Sequence, residues 1–113
     1  DYDLILTGDL GEVGSKLLNE LLIKENIDIS KSHSDCGILI FDKKSQDVHA
    51  GGSGCGCSAS VLCSTILNKL SSKEMNNILF IATGALMSPT SSQQGESIPS
   101  IAHLVNIKSS KNL

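Results

Sequence analysis

Apolar positions along this chain change their period several times, and each change predicts an element. Asp3-Leu4-Ile5-Leu6-Thr7 is a short apolar run closed by Gly8, as a buried strand requires. From Gly11 to about Asn26, Val13, Leu17, Leu18, Leu21 and Leu22 recur at helical spacing and predict a buried stripe. Glu12, Lys16, Glu20 and Lys24 hold a second, solvated face at four-residue intervals. After a polar loop, Gly37-Ile38-Leu39-Ile40-Phe41-Asp42 reads as a second strand, and Lys43-Lys44-Ser45 as a turn. A helix follows from about Cys57 to Leu70, its inward stripe being Ala59, Leu62, Cys63, Ile66, Leu67 and Leu70. Ile78 to Thr83 predicts a third strand, closed by Gly84. The polar stretch Ser88 to Pro99 reads as a surface loop. Ile101 to Ile107 reads as a last strand, and 108–113 as a frayed tail.

The resulting order is β-α-β-α-β-β. Strands alternating with helices imply a three-layer α/β arrangement with a mixed sheet, in which the last two strands pair antiparallel. At 113 residues the chain makes one domain, 1–113. It opens at Asp1 directly into a strand-like run, which suggests a piece of a longer polypeptide.

Composition narrows the partners. Net charge is −3, no basic run occurs, and Tyr2, Phe41 and Phe80 are the only aromatics, so nucleic acid is not expected. No apolar run is long enough to span a bilayer. Of the four cysteines, Cys36 and Cys63 read as small buried hydrophobes. Cys55-x-Cys57 is too closely spaced for the usual zinc pair, even with His49 as a third donor, so no metal and no cofactor is expected.

The candidate chemistry lies in Gln46 to Ser60, where glycines and small polar residues precede the second helix. Glycine lets the backbone take positive φ or approach a ligand, and a helix start offers N–H groups and positive potential to an anion. Tight packing of helix on sheet is the alternative use of the same glycines. Gly54-x-Gly56-x-x-Ala59 meets the dinucleotide spacing only in part, with no acidic residue at the usual distance, and no Gly-Lys-Ser/Thr makes a P-loop. His49 and His103 are candidate site residues, with plain structural hydrogen bonding as the alternative, whereas His33 reads as solvated. Asp9, at the C-terminal end of the first strand, is expected to cap the helix from Gly11, with calcium binding as the alternative.

This order, with a glycine turn opening the second helix, resembles the C-terminal half of the thiolase and ketoacyl synthase superfamily. Thr7-Gly8-Asp9-Leu10-Gly11, the string Gln46 to Ala59, and Ala82-Thr83-Gly84-Ala85-Leu86-Met87-Ser88-Pro89-Thr90 look like the stage V sporulation protein AD family. Ser91 to Pro99 with Ile101-Ala102-His103 extends the likeness. The resemblance implies a thiolase-like protein of spore-forming bacteria that binds dipicolinic acid, free or as its calcium chelate, for uptake into the developing spore and release at germination. It also implies membrane-protein partners from the same operon, a place peripheral to the inner spore membrane, a missing N-terminal half, and a homodimer.

Against the condensing enzymes, Gly8-Asp9 stands where a histidine is usual, Cys55 takes the place of a His or Asn, and Ala82-Thr83-Gly84 replaces a second cysteine. A thiol is a weak donor, so the oxyanion site of claisen chemistry is not kept. The expectation is a binding protein and not an enzyme; an acyltransferase with His49 or His103 as base is the alternative. One ligand carboxylate is expected on the Gly54–Cys57 backbone, with His49 and Thr83 at the edge. The expected ligand-binding set is His49, Gly52, Gly54, Cys55, Gly56, Cys57, Thr83, Gly84 and His103. Through His49, binding is expected to strengthen as pH falls past about 6.5.

Overall fold

A computed structural model of the chain describes residues 1–85, 89–98 and 100–110. Strand β1 (Leu4–Thr7) leads to helix α1 (Gly11–Lys24), strand β2 (His33–Asp35) and a single turn of helix, α2 (Cys36–Leu39). Helix α3 (Cys57–Val61), a π-helical segment (Leu62–Ile66) and α4 (Leu67–Ser71) run on as one rod. Strands β3 (Asn77–Ile81) and β4 (Gly84–Ala85), helix α5 (Pro89–Gln93), and strands β5 (Ser100–Ile101) and β6 (Leu104–Lys108) complete the order.

The main sheet runs β2-β1-β3-β6. β1 lies parallel to both β2 and β3, and β6 is antiparallel to β3, as expected for the last two strands, although a short helix, α5, lies between them. The step from β1 to β2 and the step back to β3 go in opposite directions across the sheet. Right-handed crossovers therefore put α1 and the α3–α4 rod on opposite faces, giving three layers. Alternation along β1 fits this: Leu4 and Leu6 join Ile78 and the rod residues Val61, Ile66 and Leu70 in the core, while Thr7 turns toward the start of α1.

The start of α1 is held from outside the helix. Its first N–H groups need acceptors. Asp35, almost wholly buried, accepts from Leu10 N–H at 2.9 Å, Gly11 N–H at 2.8 Å and the Thr7 hydroxyl at 2.5 Å, and Glu12 N–H reaches the Ala50 carbonyl at 2.7 Å. Because the Thr7 proton goes to Asp35, the Thr7 oxygen accepts from His33 Nε2–H at 2.9 Å. Asp35, not the expected Asp9, caps α1. His33, expected in a solvated loop, sits half-buried in β2.

Other expectations are corrected for physical reasons. Gly37 to Asp42 is not a strand: Ile40 N–H closes a turn of helix on the Cys36 carbonyl at 3.0 Å. A short apolar run fits a strand or a buried helical turn equally well. The real strand is the polar His33-Ser34-Asp35, which pairs on one side only, at the sheet edge. In the rod, buried positions step Cys57, Val61, Ile66, Leu70, and the five-residue stride spans the π segment. That extra residue shifts the stripe and turns Cys63 and Leu67 to solvent, while Ala59, two residues from both Cys57 and Val61, lies on the opposite face of α3. On α1, Gly11 and Ser15 are buried and Leu18 and Leu22 half-buried, but Val13, Leu17 and Leu21 stand exposed.

Within the expected loop, Pro89 opens α5 at a position where its missing N–H costs nothing; Ser88 and Pro99 lie outside the described residues. The expected last strand divides, β5 pairing with β4 and β6 with β3. At the expected tail, Lys108 still pairs with Asn77, and Ser109 is buried and bonded to Asn76 through both backbone and side chain. Residues 111–113 lie outside the described residues. The radius of gyration, 15.4 Å, exceeds the ~13 Å of a compact domain this long, in keeping with the uncovered apolar residues.

Removing the Asp35 carboxylate takes the acceptor from the Leu10 and Gly11 N–H groups and from the Thr7 hydroxyl proton. Asp35→Ala should lower stability by about 3 kcal/mol in denaturant titration, with Asp28→Ala, an exposed loop carboxylate, close to neutral. Burial also pushes the His33 imidazole below its usual range, against the pull of Asp35. The unfolded chain then binds the extra proton first, so stability is full above about pH 6.5 and falls as pH drops through the histidine range. His33→Gln should flatten that part of the stability–pH profile.

Candidate functional site

The glycine turn divides into two halves with different physical roles. Gly51 has φ +123°, and a Cβ there would collide with the Gly37 carbonyl. A Cβ on Gly37 would lie 2.6 Å from the Gly52 carbonyl and 2.8 Å from Asp35 Oδ2; one on Gly52 would lie 2.6 Å from Ile40 Cγ2. Gly52 N–H bonds to the Gly37 carbonyl at 2.6 Å. These three glycines are packing residues. They let the turn lie backbone to backbone against α2 and the start of α1. Gly54, with φ +125°, and Gly56 have open space where a Cβ would go. Packing does not explain them.

On the open side, at the C-terminal ends of β1 and β3, lies a groove of about 680 Å³. Its floor is Asp9, Ser53, Gly54 and Thr83, and its walls come from Gly84, Ala85, Ser100, Ile101 and Ala102. Ligands in parallel α/β sheets commonly bind beyond these strand ends. Asp9 is the centre of the polar floor. Its Oδ2 accepts from the Ser53 hydroxyl at 2.9 Å and Gly54 N–H at 3.3 Å, and its Oδ1 from the Thr83 hydroxyl at 2.7 Å. Asp9 N–H in turn donates to Thr83 Oγ1 at 3.0 Å. Burial acts to raise the Asp9 carboxyl, but the three hydrogen bonds outweigh it and hold its pKa below the ordinary range. Asp9 is the only side chain with a formal charge among the groove's described residues.

Of the expected site residues, Gly54, Thr83 and Gly84 come together here. Gly52 belongs to the packing half. His49 carries positive φ, and its ring projects into solvent, 3.7 Å from Asp47 and outside the groove lining. His103 is exposed, and its carbonyl accepts from Ala82 N–H at 2.9 Å. Cys55 and Gly56 are exposed but do not line the groove. Cys57 is buried with its thiol 3.8 Å from the Gly8 carbonyl, and Cys57 N–H bonds to the Gly54 carbonyl at 3.1 Å. The backbone donors expected for an external carboxylate are thus partly used: Gly54 N–H already meets a carboxylate, and it is the protein's own.

Ser53 is the residue that sequence reasoning missed, and Asp9 was singled out but given a capping role, with calcium binding as the alternative. The strings Gly8-Asp9 and Gly52-Ser53-Gly54 stood in the right motifs, but nothing in linear spacing says that a strand end and a turn 44 residues later share one oxygen. Burial pushes the Cys36 thiol up to about 12, with the Asp35 charge adding to it, and raises Cys57 as well; both are chemically quiet.

Residues 1–108 match the family model of stage V sporulation protein AD. The chain belongs to the stage V sporulation protein AD family. It is 50% identical over 103 residues to stage V sporulation protein AD of Bacillus subtilis (strain 168), a match covering 91% of this chain and 30% of that protein. The chain therefore spans less than a third of the length of the curated relative it matches. Among the described residues, no helix is long and apolar enough to cross a membrane.

The two kinds of glycine respond differently to a methyl group. Gly51→Ala should cost at least about 2 kcal/mol, through the carbonyl collision and the positive φ together. Gly56→Ala should stay within about 0.5 kcal/mol in the same thermal or denaturant assay, since it meets open space at ordinary φ.

Proposed function

We propose that this chain is part of a non-catalytic, thiolase-like binding protein that holds dipicolinic acid, free or as its calcium chelate, in the groove between β1, β3 and the glycine turn. Membership of the sporulation family supports the ligand class. The observation that carries the site is the floor of Ser53, Gly54 and Thr83, whose hydroxyl and N–H donors already converge on one carboxylate, that of Asp9, and suit another on a flat ring. With calcium aboard, the ligand's charge is offset beside Asp9, where no Lys or Arg lines the groove among the described residues.

Binding is favoured over acyl transfer. None of the three histidines lines the groove, and the buried thiols of Cys36 and Cys57 are pushed away from thiolate. Asp9, already accepting three hydrogen bonds, is a poor proton acceptor. The exposed apolar residues Val13, Leu17 and Leu21 on α1, with Leu104 and Val105 on β6, suit cover by the rest of a longer polypeptide or by a second copy. In this reading the protein works beside membrane proteins of its operon at the inner spore membrane.

Gly84 offers the cleanest test. It lines the groove, a Cβ there comes no nearer than 4.0 Å to the Ile101 carbonyl, and its φ is not in the left-handed region, unlike that of Gly54. Gly84→Val in the intact protein should weaken dipicolinate binding at least tenfold by calorimetry while leaving the melting temperature within a few degrees. Unchanged affinity in the folded variant would move the ligand elsewhere.

A further inference from the structure

The groove's best anion donors are already occupied by a carboxylate. Asp9 Oδ2 holds the Gly54 N–H and the Ser53 hydroxyl, the pair an incoming carboxylate would use, and Oδ1 holds the Thr83 hydroxyl. The bond to Gly54 is the longest of the three, at 3.3 Å, and it is solvent-exposed. The described lining holds no Lys, Arg or His to counter a second negative charge. An anionic ligand entering here meets both competition for donors and repulsion between like charges.

We propose that Asp9 is a resident pseudo-ligand, a carboxylate that occupies the anion site of the empty protein and must give up Gly54 and Ser53 before an external carboxylate can bind. This rests on the groove being the dipicolinate site. The exchange is local. Asp9 lets go through Oδ2 while Oδ1 stays on Thr83, whose side chain also accepts the Asp9 N–H. The ligand carboxylate then takes the freed N–H and hydroxyl. Asp9 thus sets the threshold for metal-free anions and makes the groove selective for ligands whose charge is offset or absent.

The test is calorimetry of the intact protein in calcium-free buffer, with dipicolinate and with its uncharged analogue pyridine-2,6-dicarboxamide. Asp9→Asn keeps an oxygen for Thr83 but removes the charge. It should bind dipicolinate roughly tenfold more tightly than wild type and gain clearly less for the dicarboxamide, which competes for the same donors but meets no charge repulsion. A residue that only supports the groove would lose affinity for both. In wild type, the Gly54 amide proton and the Asp9 side-chain carboxyl carbon should shift together in NMR spectra as dipicolinate saturates the site, a readout that needs no variant. Lower or unchanged dipicolinate affinity in folded Asp9→Asn, an equal gain for both ligands, or an Asp9 signal that stays still overturns the proposal and leaves the binding site standing. No dipicolinate binding by either protein removes both.

Discussion

The fold hangs on the Asp35 carboxylate. Buried at the end of an edge strand, it binds the end of β1 through Thr7 and the first two N–H groups of the α1 start. A carboxylate in such a place is held only by the donors around it, and here the end of β1 and the start of α1 supply three of them. Because the next residue, Cys36, begins α2, the same carboxylate fixes where the chain turns away from the sheet. Everything downstream, including the approach of Gly51 and Gly52 to Gly37, depends on that turn.

From this anchor the functional geometry follows in steps. The packed glycines bring the turn within hydrogen-bonding reach of α1, with Glu12 N–H on the Ala50 carbonyl. That approach places Ser53 and Gly54 over Asp9, and the parallel pairing of β1 with β3 places Thr83 beside it. The polar floor of the groove is therefore made by three segments that are far apart in sequence but fixed by two carboxylates. Asp35 serves structure. Asp9, half-exposed and facing the groove, is free to serve a ligand.

Much of the fold was legible in the sequence. Long periodic signals survived: α1 begins at Gly11 and the rod begins at Cys57. The antiparallel pairing of β6 with β3 was as expected too, although α5 lies between them. The failures have physical causes. A polar edge strand carries no apolar period, so β2 was hidden behind the apolar run after it. One π turn rotated the rod's stripe and exposed Cys63, while half of the α1 stripe is apolar surface that this chain leaves uncovered. At the site, Gly54, Thr83 and Gly84 were legible as motif members. The partition of the glycines was not, because it depends on what a Cβ would meet in three dimensions. Asp9 was misjudged for the same reason: a carboxylate two residues before a helix reads as its cap until a better-placed Asp35 has taken that role.

The proposed seat of the ligand's carboxylate is the floor of Asp9, Ser53, Gly54 and Thr83. A crystal structure of the intact protein with dipicolinate is the sharpest test. The expected result is the aromatic ring in the groove against Gly84 and Ile101, one carboxylate on Gly54 N–H and Ser53, and Asp9 drawn back onto Thr83. A ligand bound on the far side of the turn, beside His49, with Asp9 unmoved, would contradict it.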